Sequence, residues 1–156
     1  MSNNSSIDFK GRVAIVTGAG GGLGRQHALA LAARGAKVVV NDLGGARDGS
    51  GGSVSAAQAV VDEIKAAGGE AIANGASVTD FEAVQAMVQQ AVDAWGRVDI
   101  LVNNAGILRD KSFAKMELAD FKLVVDVHLM GAVNCTKAVW ALMNEQKYGR
   151  IVMTTS

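Results

Sequence analysis

Between Val13 and Gln26 the chain reads VAIVTGAGGGLGRQ, an apolar run that breaks into a turn dense in glycine. When such a turn opens a helix it presents free backbone N–H groups and the positive end of the helix dipole, which together hold a phosphate. The spacing is Thr-Gly-x-x-x-Gly-x-Gly, carried by Thr17, Gly18, Gly22 and Gly24. It departs from G-x-G-x-x-G, because Gly18 and Gly20 fit but Leu23 stands where the third glycine belongs. No Gly-Lys-Ser/Thr follows, so it is not a P-loop either. Each glycine still has a physical task. Gly18 permits the tight turn, Gly22 lets the backbone approach a diphosphate, and Gly24 lets the helix pack closely on the strand. Gly20 and Leu23 complete the stretch expected to line that diphosphate.

Asp42 is the second chemical signal. It ends the next apolar run 24 residues after Gly18, close to the ~20-residue spacing of a ribose-binding carboxylate. A carboxylate there accepts hydrogen bonds from ribose hydroxyls and repels a 2′-phosphate, and the next residue is Leu43 rather than a cation. Loop and acid together predict a dinucleotide cofactor, NAD in preference to NADP. A bare strand-to-helix turn and a surface aspartate are the plainer readings of the same residues.

Other polar side chains carry less. His27 has no metal-spaced partner, so a core or boundary position is expected and no metal site. Cys135 is the only cysteine, which rules out a disulfide within the chain and reads as a small buried hydrophobe. The charges of Arg109–Phe113 (RDKSF) could touch a phosphate of a bulky substrate, although a solvated loop is the plainer reading.

The elements that would position these groups alternate along the chain. Val13–Val16 and Lys37–Val40 are short apolar runs, and between them a helical pattern ends at Gly35. After a glycine-rich loop a helix runs from about Ser55 to Ala67, with capping-box spacing of Ser55 and Gln58. EAIAN (70–74) is a weak strand. Thr79 and Glu82 have the spacing of a capping box for a helix reaching about Trp95, whose Phe81, Val84, Val88, Ala91 and Trp95 share one face. VDILV (98–102) and RIVMT (150–154) are further strands, separated by one long helix from about Leu118 to Gln146. Strands that read as continuous apolar runs between helices predict βαβ units and a doubly wound, Rossmann-type parallel α/β sheet covered on both faces. Ligands bind such sheets beyond the carboxyl ends of the strands. Residues 1–8 are polar and are expected to be a flexible tail, with 9–156 as one dinucleotide-binding unit.

Composition narrows the partners. With 15 Lys+Arg against 15 Asp+Glu, the formal net charge is zero, so no basic field draws in nucleic acid or an anionic membrane. No apolar run is long enough to span a bilayer, and the first twelve residues lack the apolar core of a signal peptide. Cytoplasmic residence is the default expectation, with a peroxisomal one left open. Proline is absent, so the 19 glycines carry most of the turn chemistry.

With TGAGGGLG (17–24) and NNAG (103–106) both present, the chain resembles the short-chain dehydrogenase/reductase family from about Phe9 to Ser156. More narrowly, VVVNDLGG, NNAGILRDKSF, VHLMG and YGRIVMTTS resemble the (3R)-hydroxyacyl-CoA dehydrogenase unit of peroxisomal multifunctional enzymes of type 2 and their single-domain bacterial relatives. The resemblance implies that Ser77 and Val78 contact adenine, the broad family usually having Asp where Ser77 stands. It places Asn104, Ala105 and Gly106 on the ribose side of the cofactor, and makes Ser156 the serine that hydrogen-bonds the substrate oxygen. It sets His128 where the family's catalytic set usually has an asparagine, whose backbone carbonyl holds a relay water; a satisfied core histidine is the competing reading. The family dimerises commonly through the long helix and the one after it, which implies a homo-oligomer, dimer or tetramer.

The family's base is a tyrosine with a lysine four positions on, because an unperturbed phenol near pKa ~10 is a poor base at neutral pH. The single tyrosine, Tyr148, is followed at that spacing by Val152 and precedes the last strand, so it reads as packing at a helix end. The Tyr-x-x-x-Lys pair is therefore expected beyond Ser156, and these residues as the amino-terminal portion of the domain. The reading is an NAD-dependent oxidoreductase that interconverts a secondary alcohol and a ketone, with a 3-hydroxyacyl-CoA as substrate. Another small alcohol, such as a steroid or sugar, or a non-catalytic dinucleotide-binding module, are the alternatives. The 156-residue chain alone is expected to bind dinucleotide without turning it over; NADH formation from 3-hydroxyacyl-CoA by the purified chain would refute this.

Overall fold

The computed structural model describes residues 7–45 and 55–155. Five strands form one parallel sheet: β1 (Val13–Val16), β2 (Lys37–Asn41), β3 (Glu70–Asn74), β4 (Ile100–Asn103) and β5 (Arg150–Met153). Their order is β3-β2-β1-β4-β5, so the chain switches direction across the sheet between β1 and β4. Val16 lies level with Val40 on one side and with Val102 on the other, which brings the carboxyl ends of three strands to one edge.

Both faces are covered. Helices α1 (Gly22–Ala33) and α2 (Ser55–Ala66) bury Ala28, Ala32, Val60 and Ile64 against Ala14, Val16, Val38 and Val40. Helices α3 (Phe81–Trp95) and α5 (Gly131–Gln146) bury Val84, Met87, Val139 and Met143 against Val13, Ile15, Val39 and Leu101. Successive residues of β1 thus serve opposite cores, which is why its sequence is apolar throughout rather than alternating. Phe9 packs against the first core and its N–H reaches the Arg34 carbonyl. Among the described residues no helix is long and apolar enough to cross a membrane, and no group of three His, Cys, Asp or Glu could hold a metal ion.

Five local expectations change. The long helix is interrupted: α4 (Leu118–Val125) passes into a π-helical turn (Asp126–Met130), closed by the Gly131 N–H on the Asp126 carbonyl, before α5 starts. The extra residue in that turn aims His128 at the loop after β4 while Gly131 meets Val78. Helix α3 is capped by Asp80, whose Oδ1 accepts from the Ala83 N–H at 3.2 Å, rather than by Thr79. The Thr79 hydroxyl is instead paired with that of Ser77 at 2.8 Å. On the same helix Met87 is fully buried while Phe81 is exposed, which shifts the buried face by part of a turn. His27 is exposed rather than in the core or at its boundary, and His128 is exposed rather than a core residue.

The amino ends of the strands are fastened by Asp99, which is fully buried. Its carboxylate accepts from the Val13 N–H at 2.9 Å, from Arg12 at 3.1 Å and from Arg97 at 2.6 and 2.7 Å. Its backbone N–H donates to Val13 and its carbonyl accepts from Arg150, so one residue ties β1, β4 and β5. Tyr148 closes this end by packing, as expected, its ring stacked under Arg12 at 3.6 Å with Arg150 at 4.7 Å.

Burial pushes the Asp99 carboxyl up, but hydrogen bonds from Arg97 and the Val13 N–H, with the guanidinium charge, outweigh it and hold the group below the ordinary carboxylate range. Its folded-state value thus lies below its unfolded one. The stabilisation is complete above the unfolded value and is lost as pH falls through the lowered folded value. Denaturant titrations are expected to show stability falling as pH drops below about 4. Asp99→Asn should lose about 2 kcal/mol at neutral pH and show a weaker acid dependence. Cys135 is 1% exposed, and burial pushes its thiol up to about 12. Iodoacetamide should leave it unmodified in the folded chain and label it after unfolding.

Candidate functional site

The glycine loop leaves β1 at Thr17, a buried residue whose hydroxyl joins two strands. Its Oγ1 accepts from the N–H groups of Asn104 and Ala105, each at 3.0 Å, and lies 3.4 Å from the Val102 carbonyl, to which it donates. Asn104 answers with its side-chain amide, donating to the carbonyls of Thr17 at 3.0 Å and Gly18 at 3.1 Å. The turn after β1 and the turn after β4 are thereby one hydrogen-bonded unit.

The glycines differ in what they leave room for. Gly18 has φ +62°, and a Cβ there would come within 2.8 Å of the Ala105 Cα. A Cβ on Gly24 would collide with the Gly18 carbonyl and the Asn104 amide, so close packing of helix on strand requires glycine. At Gly20 a Cβ would meet the Asp42 carboxylate at 2.8 Å. Gly22, at φ +52°, faces nothing within 4 Å, so its backbone stands open where α1 begins. The Leu23 side chain beside it is 66% exposed.

Asp42 reaches across from the end of β2. Its Oδ2 accepts from the Gly20 N–H at 2.8 Å and its Oδ1 from the Gly44 N–H at 2.7 Å. Each oxygen keeps a lone pair for a further donor. Next to it, buried Asn41 donates to the Asn74 side chain at 2.8 Å and to the Ala76 carbonyl at 3.0 Å, fixing the turn that carries Ser77 and Val78.

His128, on the π-helical turn, lies over Gly106, where a Cβ would come within 2.6 Å of the ring. Its Nε2 accepts from the Ile107 N–H at 3.1 Å; in the other tautomer it donates to the Ile107 carbonyl at 3.0 Å. A crevice of about 640 Å³ opens here, lined among others by Thr17, Val78, Ala105, His128, Thr136 and Thr154. Asn103 forms part of its wall. The Asn103 Nδ2 donates to Thr136 at 3.2 Å, while its buried Oδ1 has no partner among the described residues.

Gly18, Gly20, Gly22, Leu23, Gly24 and Asp42 therefore cluster at the carboxyl edge of the sheet, and Val78, Asn104, Ala105, Gly106 and His128 gather at the same edge. Tyr148 stands at the opposite end beside Arg12. Ser156 lies outside the described residues; the Thr154 N–H still bonds the Asn103 carbonyl at 3.0 Å, so the chain keeps sheet register two residues earlier. Arg109 is ion-paired to Asp120 at 2.8 Å. Thr17 as a staple, Asn41 and Asn103 escaped the sequence reading. Their signal was available: each is a polar residue that ends an otherwise apolar strand.

A dinucleotide fits this arrangement. The open backbone at Gly22 suits a diphosphate, and the remaining lone pairs of Asp42 suit ribose hydroxyls. The comparisons with known proteins agree. The family model described as short chain dehydrogenase matches residues 12–156. The chain is 57% identical over 155 residues to peroxisomal multifunctional enzyme type 2 of Drosophila melanogaster, covering 99% of this chain and 25% of that protein. A crystal structure of a short chain dehydrogenase from Mycobacterium avium superposes with TM-score 0.84 and 48% identity over 95% of this chain and 55% of that one. A 7α-hydroxysteroid dehydrogenase complexed with NADH and 7-oxo glycochenodeoxycholic acid superposes with TM-score 0.88 and 35% identity over all of this chain and 57% of that one. This chain thus spans a quarter to somewhat over half of these relatives. It belongs to the short-chain dehydrogenase family.

Proposed function

We propose that the chain forms the cofactor-binding part of an NAD-dependent oxidoreductase that interconverts a secondary alcohol and a ketone, with 3-hydroxyacyl-CoA and 3-ketoacyl-CoA as the pair. The observation that carries the cofactor assignment is Asp42, poised over the glycine loop with one lone pair free on each oxygen. A 2′-phosphate at that position would face a carboxylate, and Leu43, Gly44 and Gly45 bring no cation to neutralise it. The acyl-CoA assignment rests on the resemblance of four stretches to the type 2 multifunctional enzymes and on the 57% identity to the fly protein. A steroid alcohol is the second reading, favoured by the superposition on the hydroxysteroid dehydrogenase.

The nicotinamide, when bound, gives or takes the hydride. The chain's own residues bind and orient. Gly18, Gly20, Gly22, Leu23 and Gly24 line the diphosphate, Ser77 and Val78 the adenine, and Asn104, Ala105 and Gly106 the ribose near the reacting end. The His128 ring ties the π-helical turn to Ile107, fixing the helix backbone from which a relay water would hang. Ser156 holds the substrate oxygen. The proton at that oxygen needs a base, and Tyr148, beside Arg12 at the amino end of the sheet, is not placed to supply it. Exposed Leu118, Phe121, Leu129, Met130, Val133 and Trp140 on α4, the π-helical turn and α5 support a homo-oligomer.

Calorimetry with both cofactors tests the reading. NAD⁺ should bind and NADP⁺ should bind more weakly, whereas tighter NADP⁺ binding would overturn the assignment. Asp42→Ser should lower the NAD⁺:NADP⁺ affinity ratio by about tenfold, a change of ~1.4 kcal/mol.

A further inference from the structure

We propose that Asn134 is a positioning residue for the adenosine half of the crevice, acting through the backbone of Val78; this rests on the dinucleotide reading above. Helix α5 grips Val78 twice. At its first residue, buried Gly131, a Cβ would stand 2.6 Å from Val78 Cγ2, so the helix backbone is pressed against that side chain. One turn later the Asn134 Nδ2 donates to the Val78 carbonyl at 2.9 Å. Residues three apart share a helix face, so both contacts come from one side of α5.

The grip is one-sided. The Val78 side chain is 7% exposed and its carbonyl is taken by Asn134, yet its N–H has no acceptor among the described residues. The neighbouring Ser77 and Thr79 hydroxyls are occupied with each other. The result is a fixed peptide with a free donor beside an apolar wall, suited to the flat, acceptor-bearing edge of an adenine base. Val78 follows the turn after β3 that Asn41 fixes, and its own carbonyl is held by α5, an element far along the chain. The π-helical turn just before α5 holds Ile107 through His128, which also lines the crevice. One helix start therefore sets both walls, and Asn134 serves only the adenosine wall.

The test uses the 156-residue chain with Asn134→Leu and Asn134→Asp, which keep the side chain's size and remove the donor. Binding of ADP-ribose and AMP is measured by calorimetry, and of nicotinamide mononucleotide by NMR titration. Loss of one hydrogen bond at the wall should weaken AMP and ADP-ribose about fivefold in both variants and leave nicotinamide mononucleotide unchanged. Bound AMP should protect the Val78 amide from hydrogen exchange less well in the variants, with exchange at Ile107 unchanged; this readout carries the test on Asn134→Asp should Asn134→Leu fail to fold. Unchanged AMP affinity, or equal weakening of AMP and nicotinamide mononucleotide, overturns the positioning role alone. Failure of the unaltered chain to bind ADP-ribose overturns the cofactor reading and this inference with it.

Discussion

The joint between Thr17 and Asn104 is the constraint on which the site depends. A parallel sheet places the ends of β1 and β4 side by side, but strand pairing alone leaves the two turns that follow free to diverge. Three hydrogen-bonded backbone groups on the Thr17 hydroxyl, and two carbonyls on the Asn104 amide, make them a single body. The Thr17 hydroxyl is withdrawn from water, where an unmade hydrogen bond costs more than a made one contributes. The glycine loop is accordingly held from below, by strand ends, rather than by contacts within itself. That leaves the outer backbone at Gly22 open to a ligand.

A second fastening, at the other edge of the sheet, uses charge instead of neutral groups. Asp99 gathers Arg12, Arg97 and the Val13 N–H, and Tyr148 lies against Arg12 and Arg150. The two edges of one sheet are thus secured by different chemistry. The ligand edge is joined by neutral groups, the Thr17 hydroxyl and the Asn104 amide. The amino edge concentrates buried charge where no ligand is expected.

How much of this was legible in the sequence follows from the range of each interaction. The five strands, their parallel arrangement and the glycine loop could be read because they rest on local pattern: runs of Val, Ile and Ala, and glycines at fixed spacing. Asp42 could be read because a short βαβ unit fixes the distance from loop to acid. The π-helical turn at Asp126–Met130 could not, since its residues are ordinary helix formers and the turn serves contacts with Gly106, Ile107 and Val78. Asp80 displaced Thr79 as a cap because the Ser77 hydroxyl, two residues back, engaged that threonine. Asn134 and Asp99 looked like unremarkable polar residues, for their partners lie 56 and 86 positions away.

The Asp42 carboxylate has one further consequence. Besides the recognition role proposed for it, it is a brace, since the Gly20 and Gly44 amides already rest on it. Retargeting the chain to a phosphorylated cofactor by exchanging that single side chain would therefore slacken the very cradle meant to receive the new molecule. A successful redesign would first have to supply those two amides with another acceptor, and only then bring in a cation.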